Sequence, residues 1–193
     1  MNSCGSSVLT AAGFTGSLLW SNGSTLTSVT VSDAAAYTVT QTVNGCTGNP
    51  GTGTSAPKTI PSAPVVNVVN NCGNAVLTAS GYTGTLLWDN AATTSAITVT
   101  SAAAHTVTQT VEGCTSIAGS GLAAPKTFPV APSITVVNNC GNSVLTAANY
   151  TGTLLWSNGA TDPAITVTHA AAYSVTQTVD GCTGAAGNGA SAP

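Results

Sequence analysis

Along residues 37–43, Tyr-Thr-Val-Thr-Gln-Thr-Val, the bulky and apolar side chains alternate with threonines. Tyr37, Val39, Gln41 and Val43 therefore share one face and Thr38, Thr40 and Thr42 the other, which predicts a β-strand with one wet side. Residues 28–31, Ser-Val-Thr-Val, alternate in the same way and turn Val29 and Val31 inward. Ser-Val-Leu-Thr-Ala (7–11) and Ser-Leu-Leu-Trp (17–20) make two further short β-rich runs, while Ser-Asn-Gly (21–23) and Asn-Gly-Cys (44–46) are turn sequences. No stretch carries the helical period. Short strands separated by turns at this spacing predict an all-β sandwich.

The pattern then recurs. Trp20, Trp88 and Trp156 are spaced by 68 residues, as are Cys4, Cys72 and Cys140, and Cys46, Cys114 and Cys182, with no insertion or deletion between copies. A unit of this length exceeds a helical or leucine-rich solenoid repeat and suits a small domain. Three tandem Ig-like sandwich domains are expected, over 1–61, 65–129 and 133–193, with linkers at 62–64 and 130–132. The connections read Ala-Pro-Lys-Thr-Ile-Pro-Ser-Ala-Pro (56–64) and Ala-Pro-Lys-Thr-Phe-Pro-Val-Ala-Pro (124–132), and proline this dense makes for extended, stiff joints. Residues 65–71 and 133–139 alternate like entry strands for the second and third domains, and 53–60 and 121–128 read as exit strands. The first repeat starts without an equivalent of the entry strand and Pro193 corresponds to Pro57, so a long periodic array that has been cut is the simplest expectation.

Composition narrows the function classes. Only 4% of residues are charged and 42% are hydrophobic, against about 25% charged in an ordinary globular chain. Solubility therefore rests on Ser, Thr, Asn and Gly. No apolar run approaches the ~18 residues of a membrane span, so membrane insertion is not expected. Two lysines and no arginine rule out nucleic acid as a partner bound through its phosphates. Disordered chains combine low hydrophobicity with high charge, and this one has neither. Met1 is followed at once by Asn-Ser-Cys-Gly without a basic start or apolar run, so any export signal is expected elsewhere or on a longer precursor.

Six cysteines, one pair per repeat and without catalytic-looking neighbours, favour an oxidising, extracellular compartment and structural disulfides. The expected bridges are Cys4 to Cys46, Cys72 to Cys114 and Cys140 to Cys182, one staple per domain. Such a staple contributes about 4 kcal/mol in the loop-entropy model, which matters because a unit this small buries a limited core. Zinc is the competing reading, but a Cys-x2-Cys pair and histidine partners are missing. Trp20, Trp88 and Trp156, with Tyr37 and Tyr173, are read as core aromatics; the alternative is an exposed tryptophan platform for sugar rings.

The chain carries few side chains suited to chemistry. His105 stands where Tyr37 and Tyr173 do in the other copies, and His169 where Asp33 and Ser101 do, so neither histidine recurs. The acidic residues are scattered apart from Glu112 and Asp180, which share a turn position with Asn44. No run of closely spaced oxygen ligands suits calcium. No catalytic residue, cofactor or metal is expected. Gln41, Gln109 and Gln177 lie on the inward face and need hydrogen-bond partners there. The Thr-x-Thr-x-Thr face raises ice binding, but one short row per repeat is too narrow for a flat array.

Residues 154–184 resemble the Ig-like repeats of the large surface proteins of gliding bacteria, the SprB-type gliding adhesins. The shared pattern is a Trp-Ser-Asn-Gly turn, the strand Ala-Ile-Thr-Val-Thr, and Tyr-Ser-Val-Thr-Gln-Thr-Val-Asp-Gly-Cys. The resemblance implies an exported, cell-surface chain of stacked Ig-like domains in adhesion or motility, without enzymatic activity. The second repeat departs from the pattern, with Trp-Asp-Asn-Ala at the turn and His105 in place of tyrosine. The expected partners are neighbouring repeats of a parent chain, or other copies, and surface glycans. Three readings follow: a section of a long surface adhesin or fibre, a complete subunit of a filament joined by strand pairing, and a carbohydrate-binding accessory array.

Overall fold

The computed structural model describes residues 1–193 and contains strands and turns but no helix. The first repeat comprises β1 (Asn2–Ser3), β2 (Ser6–Thr10), β3 (Ser17–Trp20), β4 (Ser28–Val31), β5 (Ala36–Val43), β6 (Cys46–Thr47) and β7 (Gly51–Thr54). Two antiparallel sheets result, β1-β2-β4 and β3-β5-β6, with β7 pairing β5 along the same edge as β6. Strands one, two and four against strands three, five and seven is the Ig-type arrangement in a reduced form, with a buried tryptophan on the third strand.

The second repeat contains β8 (Val65–Asn71), β9 (Asn74–Ser80), β10 (Thr85–Trp88), β11 (Ala96–Val99), β12 (Ala103–Val111), β13 (Cys114–Thr115) and β14 (Gly119–Ala123). The third contains β15 (Ser133–Asn139), β16 (Asn142–Ala148), β17 (Thr153–Trp156), β18 (Ala164–Val167), β19 (Ala172–Val179), β20 (Cys182–Thr183) and β21 (Gly187–Ala190). Sheet order is kept: β11-β9-β8 and β10-β12-β13, then β15-β16-β18 and β17-β19-β20 with β21 on β19.

The chain forms two compact units. The first comprises Met1–Val66, Ala79–Ser95 and His105–Ser120, the second Asn67–Thr78, Ala96–Ala104 and Gly121–Pro193. Each unit contains one connection between successive repeats, 56–64 in the first and 124–132 in the second.

In the first unit the register Trp20↔Val39 and Leu18↔Gln41 sets the inward side chains of β3 beside those of β5. Trp20, Val29 and Val31 form a buried cluster, against which Leu9, Ala11, Tyr37 and Val39 pack half-buried. In the second unit the equivalent cluster is fuller: Leu145, Leu154, Trp156, Ile165, Val167 and Val175 are buried, with Ile134, Val136 and Tyr173 packed on them. Each tryptophan is anchored by its indole N–H. Trp20, Trp88 and Trp156 donate to the carbonyls of Leu26, Thr94 and Asp162, each at 2.8 Å. With both faces of the ring inside and its one polar atom satisfied, these side chains leave no ring face for a sugar.

The cysteine pairing differs from the expected one. The bridges are Cys4–Cys114 and Cys72–Cys182, each spanning 110 residues, and Cys46 and Cys140 are free and exposed. Pairing within a repeat fails because its two cysteines lie at opposite ends of the sandwich. Ser55 N bonds to Ala35 O at the start of β5, and from there the chain runs past Ala56, whose N–H donates to Asn2 Oδ1, to Lys58, which bridges Cys4. Cys46 instead pairs with Val43 at the far end of β5. Eight residues of strand separate the two ends, about 26 Å, far beyond the ~7 Å Cα separation that a disulfide tolerates. The third repeat has the same layout, with Ser191 against Ala171, Ala192 against Asn138 and Cys182 against Val179, so Cys140 and Cys182 do not pair either.

Candidate functional site: the joint between repeats

The joint is the one place where the chain concentrates its scarce special residues. Between β12 and β13, Glu112 and Gly113 both have positive φ, 50° and 82°, as in the tight two-residue hairpin turns that match strand twist. Asp180 and Gly181 repeat this between β19 and β20, with φ of 50° and 81°. Such a turn pushes its carbonyls outward, and the preceding repeat uses them. Lys58 Nζ donates to Glu112 O at 2.9 Å, and Lys126 Nζ donates to Asp180 O at 2.9 Å. These are the only two lysines in the chain. Each ammonium binds a main-chain oxygen in the turn rather than an acidic side chain.

Beside each lysine is the covalent link. Cys114 follows the first turn and Cys182 the second, and both are fully buried, with Cα–Cα distances of 5.5 Å to Cys4 and 5.6 Å to Cys72. The lysine and the cysteine of the preceding repeat are held together: Lys58 N donates to Ser3 O and Gly5 N to Lys58 O, while Lys126 N donates to Asn71 O and Gly73 N to Lys126 O. Ile60 packs over Gly5 and Phe128 over Gly73, so the aliphatic or aromatic residue two positions after the lysine caps the hairpin.

The third element is the inward glutamine. Gln109 Oε1 accepts from Thr83 N (2.9 Å) and Gly84 N (3.1 Å), and its Nε2 donates to Ser62 O in the linker at 2.7 Å. Gln177 does the same with Thr151 N, Gly152 N and Val130 O, at 2.9, 3.1 and 2.7 Å. One buried amide thus ties a repeat's own loop to the segment that enters it. Gln41 keeps only the first half of the arrangement, accepting from Thr15 N at 3.1 Å.

The inward glutamines are visible in the sequence as positions needing partners, and Glu112 and Asp180 as turn positions. The one sequence signal for the lysines is their identical place in both Ala-Pro-Lys-Thr linkers, in a chain with no other basic residue than histidine.

Away from the joints one histidine meets a carboxylate. His105 Nδ1 lies 3.1 Å from both carboxylate oxygens of Asp89, and its Nε2 is buried with no hydrogen-bond partner. The pair holds two members of a proton relay and presents no nucleophile to the second nitrogen. His169 is exposed and bonded to Thr168. No group of three His, Cys, Asp or Glu side chains is placed to hold a metal ion.

No protein-family model matches the chain, and no curated protein is similar to it in sequence. Solved structures align with part of the chain at low similarity. The chicken interferon gamma receptor alpha chain matches 68% of this chain and 97% of its own, at 8% identity and a TM-score of 0.33. Murine CEACAM1b matches 67% of this chain and 96% of its own, at 13% identity and a TM-score of 0.30. At this level of likeness neither protein's role transfers to this chain.

Proposed function

We propose that the chain is part of a non-enzymatic, extracellular structural array, in which Ig-like repeats are locked end to end to carry tension at a cell surface. The observation that carries this reading is the overlap of the two disulfides. Cys4–Cys114 closes before Cys182 is reached and after Cys72 has begun its own loop, so residues 72–114, most of the second repeat, lie inside both covalent loops. A pull on the ends is carried by the sulfur-sulfur bonds at both joints and by residues 72–114 between them, so most of the first and third repeats is shielded from the load. Stable disulfides belong to an oxidising compartment, which supports export. The SprB-type resemblance supplies the surface-adhesin setting, and the near absence of charge lets such arrays lie side by side without repulsion.

A second reading, the subunit of a self-joining filament, is favoured by the two free cysteines. Cys46 is the counterpart of Cys114 and Cys182, and Cys140 of Cys4 and Cys72, so Cys140 of one copy matches Cys46 of another by the same rule that forms the internal bridges.

The test is imaging together with surface labelling. Antibodies against the chain should decorate unpermeabilised cells of the producing organism, and the oxidised chain should appear in electron micrographs as stiff rods. Labelling confined to permeabilised cells, or flexible beads in place of rods, would overturn the array reading. Long filaments that fall apart on reduction would select the filament reading.

A further inference from the structure

The third repeat shows what an entry segment does. Strand β15 pairs with β16 from Ser133↔Ala148 through Asn139↔Asn142. Its lead-in is fixed from beneath: Val130 O accepts from Gln177 Nε2, and the Pro132 carbonyl lies so close over Gly187 that a Cβ on that glycine would sit 1.9 Å from the oxygen. Ile134 and Val136 cover Gly189, whose Cβ would meet them at 2.8 and 3.3 Å. In the first unit the lead-in to the second repeat is held identically, with Pro64 O 1.9 Å from a Cβ on Gly119 and Ser62 O bonded to Gln109.

The first repeat presents the same receiving surface, open. β2 is paired on this side by Asn2 and Ser3, and Met1 exchanges both backbone bonds with Val8. Antiparallel pairing alternates, so beyond Val8 the N–H and C=O groups of Thr10 and Ala12 point at the free edge. Leu9, Val39 and Gln41 are half-exposed, whereas Leu145, Val175 and Gln177 at the equivalent positions are buried. With Trp20, Gly51 and Gly53 they line a groove of about 350 Å³. Gly51 is exposed and a Cβ there would meet nothing nearer than Val39, at 3.9 Å, although Gly119 and Gly187 are buried under a proline carbonyl. The Nε2 of Gln41 has no acceptor corresponding to Ser62 O or Val130 O. Cys46, whose counterparts are both bonded to a preceding repeat, is exposed on the strand that pairs with the end of β5.

We propose that this groove is a strand-acceptor site for an extended, proline-led segment like residues 126–136, Lys-Thr-Phe-Pro-Val-Ala-Pro-Ser-Ile-Thr-Val, offered by a neighbouring repeat. The segment adds antiparallel to β2, its backbone satisfying Thr10 and Ala12, its Val130-type carbonyl accepting from Gln41 Nε2 and its Pro132-type carbonyl lying on Gly51. Its Ile134-type and Val136-type side chains close the core over Leu9 and Gly53. Glycine is required at 51 by the approach of that carbonyl, not by the fold of the repeat itself. The inference names the partner of the array reading and rests on that reading only for the source of the strand.

The experiment adds the synthetic peptide of residues 126–136 to the whole oxidised chain and follows binding by calorimetry and by amide hydrogen exchange. Expected are a one-to-one isotherm and slowed exchange at Thr10 and Ala12. Gly51→Ala, which meets no atom in the free chain, should keep the native fold and melting temperature yet weaken binding by about tenfold or more, ~1.4 kcal/mol per decade. A peptide carrying Ile134→Asp should not bind. Absence of binding at millimolar peptide would overturn the proposal, as would equal binding to the Gly51→Ala chain or equal binding of the Asp peptide. None of those results would alter the disulfide map or the surface labelling on which the array reading is judged.

Discussion

Pulling the chain from its two ends distinguishes joint-spanning disulfides from staples within each repeat. In the oxidised chain the shortest covalent path runs from residue 1 to Cys4, crosses to Cys114, returns to Cys72, crosses to Cys182 and continues to Pro193. That path holds three residues, then 42, then eleven, so full unfolding extends the ends to about 200 Å at ~3.5 Å per residue. The reduced chain extends to about 670 Å by the same measure. Single substitutions sharpen the contrast. Cys114→Ser leaves only Cys72–Cys182, so the path lengthens by 26 residues, about 90 Å. Cys46→Ser removes a free thiol and should change the length not at all. Optical-tweezer extension at forces that unfold every sandwich reads these lengths directly. Were Cys46→Ser to lengthen the oxidised chain by 42 residues, about 150 Å, pairing within repeats would be established and the tension-bearing joint refuted.

Further expectations follow from the same geometry. Thiol titration of the native, non-reduced chain should find two reactive thiols, at Cys46 and Cys140, and peptide mapping should recover Cys4 linked to Cys114; a chain without free thiols would contradict this. Gln177→Leu removes the buried amide that pairs Val130 O, Thr151 N and Gly152 N in a part-buried setting, and should cost about 1–2 kcal/mol in chemical denaturation. Gln41→Leu should cost clearly less, since Gln41 is half-exposed and uses only its oxygen; equal losses would show that the linker bond contributes nothing. Lys126→Met removes one exposed charged donor from Asp180 O and should lower stability by about 1 kcal/mol, measurable by the same method with the disulfides intact.

The threonine faces and the tryptophan sites were legible along the chain because each depends on neighbours a few positions away. The alternation in Tyr37–Val43 sets Val39 against the buried cluster, although Val43 at the end of the strand is exposed, and a tryptophan that ends a strand before a turn finds the carbonyl six residues on to satisfy its N–H. The two-residue turns were legible for the same reason. Asn, Glu or Asp followed by glycine accommodates positive φ at both positions. The three-fold repeat was legible without any structure.

The sequence by itself thus determined the strands, their inward faces, the turns and the 68-residue period, because these follow from local sterics and from which side chains water rejects. Only the tertiary structure decided the pairing of the cysteines. Cysteine spacing says how much chain lies between two sulfurs, not at which end of a sandwich each emerges, and β5 carries Cys46 a strand's length from Cys4. The uses of Lys58 and Lys126, the second bond of each buried glutamine, and the open edge beside Gly51 were decided in the same way. Each depends on where one repeat meets the next, a relation between segments as much as 110 residues apart that no local pattern encodes.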